Sequence, residues 1–148
     1  MTWAPLEAGA PDLAEEGRRL IYRTGSGEVL LATVRGADEP PRIHPITVDI
    51  LDGQLYAFIL SGPKRLDLER DGRYAMHAHQ DPAAPSEFSI RGRARLVTDP
   101  AIRGPVASVW SFDVDDGYAL FAFDIESAIL GRRAADEWPP RYESWKRR

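Results

Sequence analysis

Arg42-Ile43-His44-Pro45-Ile46-Thr47-Val48-Asp49-Ile50-Leu51-Asp52-Gly53-Gln54-Leu55-Tyr56-Ala57-Phe58-Ile59-Leu60-Ser61-Gly62-Pro63-Lys64-Arg65 is the stretch whose reading decides the fold. Two strand-like runs, Arg42–Leu51 and Gln54–Leu60, meet at Asp52-Gly53, a dipeptide that accepts positive φ and so favours a tight hairpin. The second run feeds a helix. Ser61 is a suitable N-cap, Pro63 suits the first turn because its missing N–H is not needed there, and Leu66–Arg70 carries the helix to Asp71-Gly72. The charges on this helix run against its macrodipole: Lys64 and Arg65 occupy the positive first turn, while Asp67, Glu69 and Asp71 lie toward the negative end. Each mismatch costs about 0.3–1 kcal/mol at an exposed site, an amount solvation can absorb. The other resolution is an anion at the helix start, where free N–H groups and two cations make a phosphate site.

The first strand of the hairpin carries Ile43, Ile46, Val48, Ile50 and Leu51, apolar on both faces, as expected for a strand buried in a closed or partly closed barrel. Pro45 cannot donate to a ladder, so it marks an edge or a bulge. Downstream, Arg73–Gln80 alternates Tyr74, Met76 and Ala78 against Arg73, Ala75, His77 and His79. His77 and His79 share a face, but His44 is the only other histidine and no Asp/Glu–His signature accompanies them, so no metal site is expected. In Glu87–Thr98 the inward set is Phe88, Ile90, Gly92, Ala94 and Leu96. Arg91, Arg93 and Arg95 stand on the other face, either ion-paired with acidic neighbours or forming a basic groove for an anionic cofactor tail. Thr98-Asp99-Pro100 opens a second short helix, and Tyr118–Leu130 reads as a long closing strand with a bend at Glu126-Ser127. Upstream, Glu28–Arg35 reads as a strand, and from Asp12 an amphipathic helix carries Leu13, Gly17, Leu20 and Ile21 on one side. Residues 1–11, rich in Ala, Gly and Pro, read as a flexible arm, and residues 132–148 as a docking tail.

A length of 148 residues fits one domain. The net charge of −4 argues against a nucleic-acid or anionic-membrane partner. With no cysteine there is no disulfide, iron–sulfur cluster or reactive thiol, so any redox chemistry must belong to a bound cofactor. No basic-then-apolar signal pattern and no membrane-length apolar run is present, which makes the cytoplasm the expected compartment.

The order strand-turn-strand, Ser61-x-x-Lys64, short helix, then Asp71-Gly72-Arg73-Tyr74-Ala75-Met76-His77 entering another strand, resembles the pyridoxamine 5′-phosphate oxidase-like, FMN-binding split-barrel family. The resemblance extends from Glu16–Tyr22 through Leu31–Arg35, Pro41–Pro45 and Ile90–Pro100 to Trp138-Pro139-Pro140-Arg141-Tyr142; its specificity lies in order and spacing. It implies a mainly β α+β fold, a six-stranded antiparallel split β-barrel with short flanking helices. It also implies a homodimer with cofactor sites at the interface. Carried over residue by residue, it places the flavin ring along His44, Pro45, Ile46 and Thr47, the cofactor phosphate near Ile59, Leu60, Ser61, Lys64 and Arg65, and either Trp138 or Trp145, with Arg141, over the ring from the partner. Two features depart from true pyridoxamine phosphate oxidases: Val48-Asp49 stands where those carry a basic residue, and Arg141-Tyr142-Glu143 replaces their Arg-x-His motif.

The function implied is a flavin-dependent oxidoreductase passing hydride or electrons between FMN and a small molecule. A deazaflavin-dependent reductase would use the arginine face for a longer anionic cofactor. A non-enzymatic flavin or haem carrier would have His44, His77 and His79 as its candidate iron ligands.

Overall fold

The structure, a computed structural model, describes residues 2–148. Its elements are α1 (Ala4–Gly9), α2 (Pro11–Ile21), β1 (Gly27–Thr33), β2 (Arg42–Leu51), β3 (Gln54–Leu60), α3 (Pro63–Arg70), β4 (Arg73–Ala78), β5 (Glu87–Val97), α4 (Pro100–Ser108), β6 (Tyr118–Arg132) and β7 (Arg141–Lys146). The strands form one sheet in the order β3-β2-β1-β4-β5-β6-β7, and β3 pairs back onto β6, closing six antiparallel strands into a barrel with β7 as an extra strand. The hairpin turn forms as its sequence dictates: Asp52 and Gly53 both take positive φ, 50° and 73°.

Two long strands change partners along their length, and this splits the barrel. β6 pairs with β5 throughout, but on its other side meets β3 over Tyr118–Ala122 and β7 over Ser127–Arg132. β2 pairs with β1 over Arg42–Val48 and reaches β3 only at Asp49–Leu51. Its first half is therefore a free edge on one side, which is where Pro45 sits.

The N-terminal segment fills the split. Of the stretch 1–11, expected as an arm, Met1 lies outside the described residues and 2–11 instead contain α1 and the start of α2: Pro5 and Pro11 each fall in a first helical turn, where a missing N–H costs nothing. The Trp3 N–H donates to the Gly53 carbonyl at 2.8 Å, and Trp3 and Leu6 are fully buried. Trp3 meets Phe88 edge to face at 6.2 Å, while Gly17 lets α2 approach the same ring. Beside α1, at Gly9, Trp145 packs against the core, so the tail docks as strand β7. A second apolar cluster of Tyr56, Phe58, Val97, Val106, Trp110, Leu120 and Ala122 lies under α4. Leu96, expected inward, is exposed because β5 runs past the end of β4, and Val97 turns under α4 instead. No helix among the described residues is long and apolar enough to cross a membrane.

Candidate functional site

The helix start at α3 differs from the sequence expectation by one residue. Gly62, not Ser61, is the N-cap, and it offers no side-chain cap. Pro63 has no N–H, so the N–H groups of Lys64 and Arg65 face outward without a side-chain acceptor. The two cations then diverge. Arg65 is held by Glu69 at 2.9 Å, one turn on, and reaches the Gly117 carbonyl at 3.5 Å. Lys64 has no acidic partner within ion-pair distance among the described residues.

The carboxylates that looked misplaced are compensated by side chains. Asp71 pairs with Arg73 at 2.6 Å, which holds its carboxyl near pH 2. Asp67 is buried, its side chain fully inaccessible, and it accepts hydrogen bonds from Thr33 Oγ1 (3.0 Å), Arg42 Nε (3.1 Å) and Arg35 Nε (3.2 Å). Thr33 and Arg35 were not singled out from the sequence, and Asp67 was read there only as a charge misplaced on its helix. The only local signal was an acid inside a helix whose other charges are solvated, beside the buried Leu68.

Strand pleating divides the β2 candidates. His44 and Ile46 point inward with the buried Val48 and Ile50, whereas Ile43, Pro45 and Thr47 point outward. His44 lies close to Lys64: burial, then the Lys64 and Arg42 charges, hold its imidazole below the ordinary histidine range. Its Nε2 is buried and unpartnered. Because the folded state resists protonating His44, the unfolded chain takes up the proton first. Stability should therefore fall as pH drops through about 6.5, the unfolded value. Thermal melts across that range should show the loss in wild type and a smaller one in His44→Gln.

Pro45, Ile46 and Thr47 line a small groove of about 380 Å³ with His79 and Glu28. Ile59 is core, Leu60 is half exposed and Ser61 is exposed, which brings the end of β3 and the α3 start together. The tail residues are elsewhere. Leu60 pairs with Tyr118 at one end of β6, and Arg141 pairs with Arg132 at the other. An extended strand rises about 3.3 Å per residue, so the tail and the Lys64 site of one chain lie far apart. Trp138 is exposed beneath the Arg133 guanidinium, Arg141 is 3.5 Å from Glu137, and Trp145 is partly buried against the core.

On the outer sheet face Arg93 pairs with Glu126 (3.6 Å) and Arg95 with Asp124 (3.5 Å), leaving Arg91 without an acidic partner among the described residues. The register aligns Ile43, Ala32, Ala75, Arg91, Ser127 and Lys146 across six strands, beside a second row of Pro45, Leu30, His77, Ser89, Ile129 and Ser144. A groove of about 650 Å³ runs along the first row, flanked by Arg73 and Arg93. His77 lies on the outer row with Pro45 while His44 points inward, and no cluster of three His, Cys, Asp or Glu side chains suited to a metal occurs among the described residues.

No family model matches the chain, and no curated protein matches it in sequence. Solved structures do match. A protein related to general stress protein 26 of B. subtilis, of the pyridoxinephosphate oxidase family, from Clostridium acetobutylicum superposes with a TM-score of 0.61 at 15% identity, covering 88% of this chain and 95% of its own. A NimC/NimA family protein from the same species gives 0.60 at 17% identity, over 86% and 91%. A heme binding protein from Mycobacterium smegmatis gives 0.63 at 15% identity over 90% of this chain, which spans only 57% of that one. At such identities the likeness is one of architecture: this chain has the split-barrel fold of the pyridoxamine 5′-phosphate oxidase-like proteins.

Proposed function

We propose that this chain is an FMN-binding oxidoreductase acting as a homodimer on a small molecule. The observation that carries the reading is the uncapped start of α3, with Lys64 free of any acid and the unpartnered His44 Nε2 beside it. This donor set suits a phosphate: an ammonium, main-chain N–H groups and a neutral imidazole, which has one ring N–H to donate. FMN, when bound, supplies redox chemistry at its ring, for which this cysteine-free chain has no side chain of its own. The protein's part is to grip the phosphate and to offer main-chain groups of the β2 edge, around Pro45–Thr47, to the ring's polar side. Titrating the purified protein with FMN should quench flavin fluorescence and shift the flavin absorbance at one equivalent per chain. An unchanged flavin spectrum would overturn the reading. If hemin instead gave a ligated haem spectrum, the neighbour that binds heme would be the better guide, with the partly buried His79 in the β2 groove as a candidate ligand.

The partner copy belongs on the outer face built from the two aligned rows. Ile43 is 68% exposed, Leu30 37% and Ile129 38%, set among alanines and serines that leave the face flat. An isologous contact there buries these side chains and places the far end of each β6 toward the partner. Given the length of β6, a tail reaches an α3 site only across such a dimer contact and not within its own chain. Light scattering at micromolar concentration should give a dimer mass for wild type and a monomer mass for the double variant Ile43→Asp with Leu30→Asp. A wild-type monomer with FMN bound would sink the assembly. In the dimer, truncation after Gly131 should weaken FMN binding, and because it removes β7 and Trp145 it should also lower thermal stability. Truncated protein with full-length flavin affinity would show that the tail only packs.

A further inference from the structure

We propose that Asp67 is the positioning residue of the anion site, the buried charge that holds Lys64 against His44; this rests on the phosphate reading of that site. Asp67 joins α3 to the sheet at one point. Its three donors come from the last residue of β1, from Arg35 two positions beyond it, and from the first residue of β2. One carboxylate therefore ties the helix to the place where the β1–β2 connection leaves the barrel and returns. A carboxylate this buried is stabilising only when its lone pairs are occupied, and here three donors occupy them.

The spacing on both elements links this anchor to the site. Lys64 precedes Asp67 by three residues, so both lie on one face of α3. His44 follows Arg42 by two residues, so both lie on the inward face of β2. The Arg42–Asp67 hydrogen bond therefore brings the α3 face that carries Lys64 to the β2 face that carries His44, close enough for the Lys64 charge to be felt at the imidazole. Fixing that bond sets the place of Lys64. Lys64 has no acid to steer it, and α3 has no side-chain cap, so the Asp67 anchor supplies the orientation that a cap would otherwise give.

The charged groups around His44 make positioning distinguishable from a simple field effect. Lys64 and Arg42 lower its pKa, and Asp67 raises it. In Asp67→Asn, loss of the carboxylate charge alone would move His44 further down. Release of Lys64, or of the Arg42 that Asp67 also holds, would instead move His44 up. The experiment measures FMN and inorganic phosphate affinity, and the His44 imidazole titration by NMR, in wild type, Asp67→Asn and Thr33→Val. Thr33→Val removes one anchor and changes no charge.

Asp67→Asn should lose about ten-fold in affinity for both ligands, the scale on which supporting contacts act behind a binding group. Its His44 titration should move upward. Thr33→Val should lose about three-fold, as for one hydrogen bond, with His44 again moving upward. Wild-type affinity in both variants, or a loss of affinity with His44 unmoved or lowered, overturns the positioning role. If Asp67→Asn does not fold, Thr33→Val decides by the same two readouts. A wild-type protein that binds neither ligand overturns the phosphate reading and this role together, whereas wild-type binding with unaltered variants overturns this role alone.

Discussion

Gly92→Ala should unfold or grossly destabilise the barrel, by roughly 3 kcal/mol or more, the upper end of overpacking penalties. Gly92 is buried on β5, at the register shift between Arg91 and Gly92 where the β6 partner jumps from Ser127 to Ile125 and Glu126 is left over as a bulge. A Cβ built at Gly92 would drive into the carbonyl oxygen of Asp124, well inside van der Waals contact, with the Glu126 backbone close behind. Neither is a flexible side chain that can move aside. That same Asp124 carbonyl accepts a hydrogen bond from the Tyr74 hydroxyl at 3.0 Å, so pushing it away also strands a buried phenol. Burial and the Asp124 and Glu126 charges already hold the Tyr74 pKa well above its usual value, so the phenol cannot ionise to compensate. Chemical denaturation should report the loss as a lower midpoint with unchanged slope. A Gly92→Ala protein as stable as wild type would mean that β5 and β6 pack more loosely here than the register requires.

The contrast with Gly17 and Gly62 shows why glycines need the structure for their ranking. Gly17 meets an aromatic side chain, and Gly62 has open space where a Cβ would go. In the sequence all three are simply small residues in amphipathic or turn-like runs. More generally, what could be read from the chain was local. The Asp52-Gly53 turn, the alternation of Tyr74, Met76 and Ala78, and the Pro63 helix start depend on neighbours within a few positions, and each is present. The Ser61 cap failed by one residue, within the latitude of local capping preferences.

Readings that depended on distant partners failed or were missing. Asp67 binds side chains 25, 32 and 34 residues away, so on its own helix it looked only like a charge at the wrong end of a dipole. Trp3 and Leu6 belong to the core because the exchange of β3 for β7 along β6 leaves a split for α1 to fill, a consequence of sheet topology that no composition rule contains. The Arg91, Arg93 and Arg95 face divided in the same way: two found acids on β6, and one did not. Of the site, the strand and the helix start were legible. The face on which His44 lies and the unequal pairing of Lys64 and Arg65 were not.

That inequality carries the second large effect. Lys64→Ala should weaken FMN binding by roughly 1.5–3 kcal/mol, the range for a hydrogen bond to a charged group, or about 10- to 150-fold in affinity. Arg65→Ala should cost less, since its guanidinium is already engaged by Glu69 and the Gly117 carbonyl and offers the phosphate little that is free. Folding should change little in Lys64→Ala, because Lys64 is only partly buried and makes no ion pair among the described residues. Riboflavin provides the control, having the same ring without the phosphate. If Lys64 grips the phosphate, wild type and Lys64→Ala should bind riboflavin equally, and the whole difference should appear only with FMN. Isothermal titration giving one FMN affinity for both proteins would remove the phosphate from the α3 start. An equal loss for FMN and riboflavin would move Lys64 from the phosphate to the ring, and the ligand would then lie across the inward face of β2 rather than along its edge.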